Sequence, residues 1–142
     1  MIDGPADQPA APMPAPRDER RRRTLMLLRR IDEAWVAAFQ ESGFSDIYFS
    51  RLFTELWLRG DVALPKTDAY GLVKEVGLQT AIKYVRRAVE EGYLQELDNP
   101  ADGRSRLIRM TPRLKARFEQ VIDDIDASVA ALAGPGGPGA TR

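Results

Sequence analysis

The chain has 142 residues, 44% of them hydrophobic and 30% charged, so we expect one folded domain with a modest core. It has no cysteine and no histidine, which excludes disulfides, thiolate or imidazole metal sites and the commonest general base of enzymes. We therefore expect no metal, no cofactor and no enzymatic activity. Its 21 basic and 21 acidic residues cancel in number, but residues 17–30 carry seven arginines against two acids.

The two ends of the chain differ in composition from its middle. Residues 1–17 are rich in Pro and Ala, and residues 134–142 are rich in Gly and Pro. Such segments bury too little apolar surface to offset their ordering entropy, so we predict disorder there and a folded unit over 18–133. No stretch approaches the ~20 apolar residues of a membrane span, and we expect a cytoplasmic protein without a secretory leader.

The first third of the chain predicts two helices. Apolar residues recur at helical spacing and predict helix 1 over 18–42 and helix 2 over 46–59, the second capped by Ser45. Their aromatic residues either pack in the core or line an effector pocket; they are Trp35, Phe39, Phe44, Phe49, Phe53 and Trp57. The arginines at the start of helix 1 are either a DNA-contacting arm or a solvated helix start; they are Arg17 and Arg20 to Arg23.

A short strand, two further helices and a hairpin follow. Val62–Leu64 is predicted to be a brief strand closed by Pro65, and Thr67 is predicted to cap helix 3 over 68–76. Helix 4 is predicted over 79–91, where a glycine ends it.

The rest of the chain predicts a hairpin and a last helix. Strands over 93–97 and 104–110 flank a turn containing Asn-Pro and Asp-Gly pairs. A Thr-Pro pair then starts helix 5 over 112–132, because proline suits the first helical position.

Helix 4 carries the pattern most directly tied to function. Its apolar positions share one face, and its other face presents hydrogen-bonding and basic residues, namely Gln79, Thr80, Lys83, Tyr84, Arg86 and Arg87. No acidic residue occurs from Gln79 to Val89, which suits a surface that meets phosphates, although a solvated amphipathic helix has the same pattern. The order of helix, turn, helix and hairpin predicts a winged helix-turn-helix, with helix 4 in the major groove of DNA.

The hairpin resembles the wing of the bacterial MarR-type regulators. The resemblance rests on an Asp-x-Arg turn, an apolar strand and a Thr-Pro helix start, here Asp102, Arg104, Leu107, Ile108, Met110, Thr111 and Pro112. It covers about residues 45–130. It implies a mainly α fold with a small β-hairpin wing (α+β), in which a DNA-binding lobe over 45–112 is flanked by dimerisation helices over 18–42 and 112–132.

The resemblance also implies roles for residues of the wing over 98–106. Arg104 is expected to enter the minor groove or meet the backbone, and Asp102 to orient Arg104. Arg106 is predicted to bind DNA as well, without a role taken from the resemblance. A hairpin turn with a local ion pair is the plainer interpretation of the same residues.

These observations lead to one functional hypothesis and one alternative. The hypothesis is a homodimeric transcriptional regulator that binds double-stranded DNA sequence-specifically, with a small-molecule effector possible but unidentified. The alternative is a winged-helix adaptor or antirepressor that contacts proteins and does not itself bind DNA; the neutral net charge is compatible with it.

Overall fold

The computed structural model describes residues 15–133, which form a mainly helical domain with one small sheet. The elements follow in the order α1 (Pro16–Phe39), α2 (Ile47–Leu58), β1 (Leu64–Pro65), α3 (Lys66–Tyr70), α4 (Leu78–Glu91), β2 (Leu94–Asp98), β3 (Arg106–Met110) and α5 (Pro112–Ala133). This order confirms the predicted winged helix-turn-helix and its α+β class. The predicted tails 1–17 and 134–142 lie outside the described residues, except for Ala15, which precedes α1, and Pro16 and Arg17, which belong to it.

The sheet is antiparallel and joins the wing to the helix-turn-helix. Its strand order is β1-β3-β2, with Leu64 opposite Ile108 and Leu94 opposite Met110. Pro65 ends β1 rather than following it, and a proline is tolerated there because β1 is an edge strand of the sheet. The wing strands therefore have a third partner that leads directly into α3.

The core is an aromatic cluster between α1, α2 and the start of β2. Phe39, Phe49 and Phe53 are buried, and the Phe53 ring centroid lies 5.8 Å from that of Phe39 and 5.9 Å from that of Phe49. Tyr93 packs edge-on against Phe53, also at 5.9 Å. The four phenylalanines that were candidates for an effector pocket are thus core residues, with Phe44 among them. Trp35 is half-buried beside the core, whereas Trp57 is exposed.

Two predicted boundaries, at the end of helix 1 and the start of helix 2, were wrong for identifiable reasons. Asp46, not Ser45, caps α2, because its carboxylate accepts the backbone N–H groups of Tyr48 at 2.9 Å and Phe49 at 3.0 Å. Helix 1 ends at Phe39 rather than residue 42, and the chain then turns through Gly43 at φ +79°. Each difference is a turn decided by one side chain or one dihedral, which apolar periodicity does not register.

Helix α3 is shorter than predicted and has no side-chain cap. It covers Lys66–Tyr70 instead of 68–76, so the expected Thr67 cap lies inside it. The chain reaches α4 through a turn in which Glu75 has φ +67°, a conformation rarely adopted by a residue with a side chain. The Glu75 carboxylate accepts a hydrogen bond from Arg51 on α2 at 2.7 Å, which holds this turn against α2.

The predicted start of helix 5 is confirmed. Pro112 is its first residue, and the Thr111 hydroxyl accepts the backbone N–H of Leu114 at 3.2 Å. The same hydroxyl donates to the Gly92 carbonyl at 2.7 Å, so it ties the start of α5 to the end of α4. Further along α5, the Arg117 side chain donates to the Ala38 carbonyl of α1 at 2.6 Å. This bond fixes α5 beside the C-terminal end of α1.

Candidate nucleic-acid interface

Helix α4 turns its polar face away from the core. It begins after Gly77 and ends before Gly92, whose φ of +84° is readily adopted only by glycine. Ala81, Val85 and Ala88 are buried against the core. The residues left exposed include five of the six predicted DNA contacts, namely Gln79, Thr80, Lys83, Arg86 and Arg87.

Tyr84, the sixth predicted contact, is engaged with α2. Its hydroxyl donates to the Asp46 carboxylate at 2.6 Å, and its ring lies 4.4 Å from the Phe49 ring. Burial, followed by the hydrogen bond to Asp46, raises the pKa of Tyr84 to about 12. The phenol is therefore neutral at physiological pH and anchors α4 to the start of α2. Asp46 was missed in the sequence, although an Asp directly before an apolar run is a typical helix cap.

Arg87 is also held by the protein. Its guanidinium lies 4.8 Å from the centre of the Phe44 ring and donates to the Ser42 carbonyl at 3.3 Å. A cation over an aromatic face is stabilised by the ring quadrupole. The geometry therefore gives Arg87 a positioning role between α4 and the turn that follows α1. Lys83 and Arg86 have no ion pair within residues 15–133.

Two side-chain oxygens, one from an amide and one from a carboxylate, organise the tip of the wing. Asn99 Oδ1 accepts the backbone N–H of Ala101, and Asp102 Oδ1 accepts that of Arg104, each at 3.0 Å. The Asp102 carboxylate therefore contacts the backbone N–H of Arg104 rather than the Arg104 guanidinium. The Arg104 side chain is exposed at the tip, where it is available to a ligand.

Arg106 lies in an ionic cluster, which we define as Lys66, Glu96, Asp98 and Arg106. Its guanidinium pairs with Glu96 at 3.2 Å and with Asp98, and Lys66 pairs with Glu96 at 2.8 Å. The hydrogen bond from Lys66 is the main cause that lowers the pKa of Glu96, and the same bond raises the pKa of Lys66. The cluster joins the start of α3 to the wing, so Arg106 is a structural link there. Lys66 and Glu96 were missed because nothing in the sequence pairs them.

The arginine cluster of α1 lies far from this face. Helix α1 has 24 residues, and Ser42, whose carbonyl accepts a hydrogen bond from Arg87, lies just past its C-terminal end. At 1.5 Å per residue, Arg20 is roughly 30 Å away along the helix. The geometry therefore does not favour Arg20 to Arg23 as part of the same surface as the polar face of α4.

The described part of the chain contains neither a candidate metal site nor a candidate membrane span. No group of three or more acidic, His or Cys residues in 15–133 has an arrangement that could hold a metal ion. None of the helices in that range is both long enough and apolar enough to cross a membrane.

Comparison with known proteins gives matches in structure but not in sequence. No protein-family model matches the chain, and no curated protein matches it. Among solved structures, the RV1404 protein of Mycobacterium tuberculosis matches with a TM-score of 0.69 at 18% identity, over 92% of this chain and 88% of that one. The transcriptional regulator Tm0710 of Thermotoga maritima matches with a TM-score of 0.57 at 19% identity, over 81% and 77%.

A third match is a mutant of Escherichia coli MarR complexed with operator DNA. Its TM-score is 0.53 at 18% identity, over 76% of this chain and 74% of that one. The chain therefore has the winged helix fold of MarR-type regulators.

Proposed function

We propose that this protein is a transcriptional regulator that binds double-stranded DNA sequence-specifically. The observation that carries the proposal is the exposed face of α4, where Lys83 and Arg86 stand beside Gln79 and Thr80 without an intervening carboxylate. A face of this kind offers cations to phosphates and hydrogen-bonding groups to base edges. The fold match to a MarR protein bound to operator DNA supports the same conclusion.

The contacts within the protein divide the predicted DNA-binding residues into two groups. We infer that Gln79, Thr80, Lys83 and Arg86 enter the major groove and that Arg104 reaches the flanking minor groove or backbone. The remaining predicted residues position these groups through contacts within the protein; they are Tyr84, Arg87, Arg106 and Asp102. The regulator acts by binding rather than by catalysis, and binding chromosomal DNA places it in the cytoplasm, at the nucleoid.

The proposed contact of the wing with DNA predicts how binding affinity depends on salt concentration. Arg104→Ala should weaken binding and reduce the slope of log affinity against log salt by about 1, because one cationic contact with phosphate is lost. Asp102→Ala should act in the same direction but less, since it frees the turn without removing the charge. Fluorescence anisotropy with a labelled duplex over a salt series measures both. Arg23→Ala, at the far end of α1, is the matched control, and a slope unchanged by Arg104→Ala would show that the wing does not touch DNA.

We further propose that the regulator is a homodimer joined through α1 and α5. Both helices expose apolar residues on the described part of the chain, including Leu28 at 51% and Val129 at 38% exposure. Apolar surface of this kind is typically covered in a soluble protein. A two-fold dimer also spaces two α4 helices about one DNA turn, ~34 Å, on a palindromic site.

The dimer predicts a change of mass on mutation. Leu28→Asp with Val129→Asp should shift the protein from two chains to one in sedimentation at micromolar concentration, because each places a charge in the apolar seam. Both residues are exposed in the single chain, so folding should persist in circular dichroism. Ile125 is unsuitable because it packs against the core. A wild-type monomer that binds its site with full affinity would exclude the dimer.

The full chain and random duplex DNA test the proposed function as a whole. Selection of bound sites from a random library should yield one sequence family, and arbitrary duplex should bind weakly at low salt. If the chain is folded by circular dichroism and yet binds neither a selected site nor arbitrary duplex DNA, the adaptor or antirepressor is favoured instead.

A further inference from the structure

Helix α4 begins with an exposed apolar side chain. Leu78 is the first residue of the helix, and 62% of its surface is exposed to solvent. The apolar residues that attach α4 to the core are others, namely Ala81, Val85 and Ala88, and all three are buried. Leu78 therefore contributes little to holding α4 on the domain, and its apolar surface is open to a ligand.

Leu78 is continuous with the residues that we propose to contact DNA. Leu78, Ile82 and Arg86 follow one another at intervals of four, so they form one row along the surface of the helix. Ile82 is half-buried and Arg86 is exposed, so the row has an apolar start and a cationic end. Gln79, the next residue after Leu78, is exposed as well. The apolar pair of Leu78 and Ile82 thus adjoins the polar face of α4.

The start of α4 is also the part of the helix that is suited to meet base edges. In a helix-turn-helix, the N-terminal residues of the second helix contact the bases in the major groove. The first turn of α4 contains no acidic residue that would repel phosphates. The helix follows Gly77, and the space beside Gly77 is open within the described part of the chain. Neither a negative charge nor a neighbouring side chain therefore keeps Leu78 from the floor of the groove.

The chemistry of the major groove restricts what an apolar side chain can recognise there. Among the groups that identify a base pair in this groove, the C5 methyl of thymine is apolar, and the others are hydrogen-bond donors or acceptors. A leucine placed against a donor or acceptor would leave that group without a partner, which costs free energy. A leucine placed against the methyl removes apolar surface of both groups from water. The side chain of Leu78 therefore suits a thymine.

We propose that Leu78 is a specificity-determining residue that recognises the C5 methyl of a thymine in the major groove, with Ile82 beside it. This inference rests on the proposed function, since it requires α4 to lie in the groove. It adds that the selected DNA site contains a thymine whose methyl group is needed for full affinity. Because the contact is apolar, it distinguishes bases without adding a phosphate contact.

Deoxyuridine in place of thymine tests the inference, because it lacks the C5 methyl and keeps the base pairing. Each thymine of the selected site is replaced in turn, and binding of the full chain is measured by fluorescence anisotropy. At one thymine the replacement should weaken binding about fourfold, as expected for one buried methyl group. At the same position, 5-methylcytosine should bind more tightly than cytosine by about the same factor, because it carries the same methyl group.

Variants of Leu78 assign the methyl contact to this side chain. Leu78→Ala should bind the thymine and deoxyuridine duplexes with nearly equal affinity. Leu78→Met keeps an apolar side chain and should retain the preference for thymine. Leu58→Ala is the matched control, because Leu58 on α2 is exposed to a similar extent, 65%, and should leave the preference unchanged. Since Leu78 is exposed, its variants should remain folded in circular dichroism.

Failure of this inference is distinguishable from failure of the proposed function. If the chain selects a DNA site but binds every deoxyuridine duplex as tightly as the thymine duplex, the methyl contact is wrong and the proposed function stands. If Leu78→Ala keeps the preference of the parent for thymine, another residue recognises the methyl and the role of Leu78 is wrong. If the folded chain selects no site, the proposed function fails and this inference fails with it.

Discussion

Arg86→Ala is expected to weaken binding to the selected DNA site by about 1–3 kcal/mol, roughly five- to 150-fold in affinity. Arg86 is exposed on α4 and has no ion pair within residues 15–133, so its guanidinium is available to a base edge or a phosphate. Lys83, one turn earlier, is in the same situation and should give a loss of the same order.

Two comparisons separate base recognition from phosphate contact. If Arg86 pairs with a base, the loss should be large on the selected site and small on a scrambled duplex; a phosphate contact should weaken both equally. Arg22→Ala on distant α1 removes the same charge and should change neither. If both the Lys83 and Arg86 variants stay folded and bind the selected site as the parent does, α4 is not the reading helix.

Phe53→Ala is expected to lower the free energy of unfolding by about 3–5 kcal/mol. Phe53 is fully buried, and its ring centroid lies within 6.3 Å of the rings of Trp35, Phe39 and Tyr93. Truncation leaves a cavity that these rigid rings cannot fill. Because a domain of this size is stable by about 5–15 kcal/mol, the loss is a large share of the total.

Urea denaturation checks this result. The midpoint should fall while the slope of the free energy against urea stays constant, since the surface exposed on unfolding hardly changes. Leu58→Ala, on the exposed side of the same helix, is the control and should change stability by less than about 0.5 kcal/mol. A loss below about 1 kcal/mol for Phe53→Ala would contradict the packing described for the core.

Apolar periodicity and glycine positions were sufficient to predict the order of the elements and the exposed face of α4. They failed where a local conformation depends on a distant partner. The turn before α4 contains Glu75 at φ +67°, and its carboxylate binds Arg51, which lies 24 positions earlier in the sequence. A sequence pattern carries no trace of such a contact.

The same limit applies to the candidate site. Helical spacing places Tyr84 and Arg87 on the polar face of α4 with Lys83. Spacing cannot tell which of these polar side chains already bond to other parts of the protein. The partner of Tyr84 is Asp46, 38 positions away, and the partners of Arg87 lie in the turn after α1. Both residues are therefore held by contacts within the protein, which only the fold reveals, and we place them in the support of the proposed reading face.

The ionic cluster of Lys66, Glu96, Asp98 and Arg106 should make the proposed DNA binding sensitive to salt in a second way. Its side chains are partly exposed, so added ions screen the attraction between them as well as the attraction to phosphates. A wing less firmly joined to α3 presents Arg104 over a wider range of positions, and more entropy is lost when it docks. The plot of log affinity against log salt should therefore curve downward at high salt, and a count of phosphate contacts is best taken from its low-salt limb.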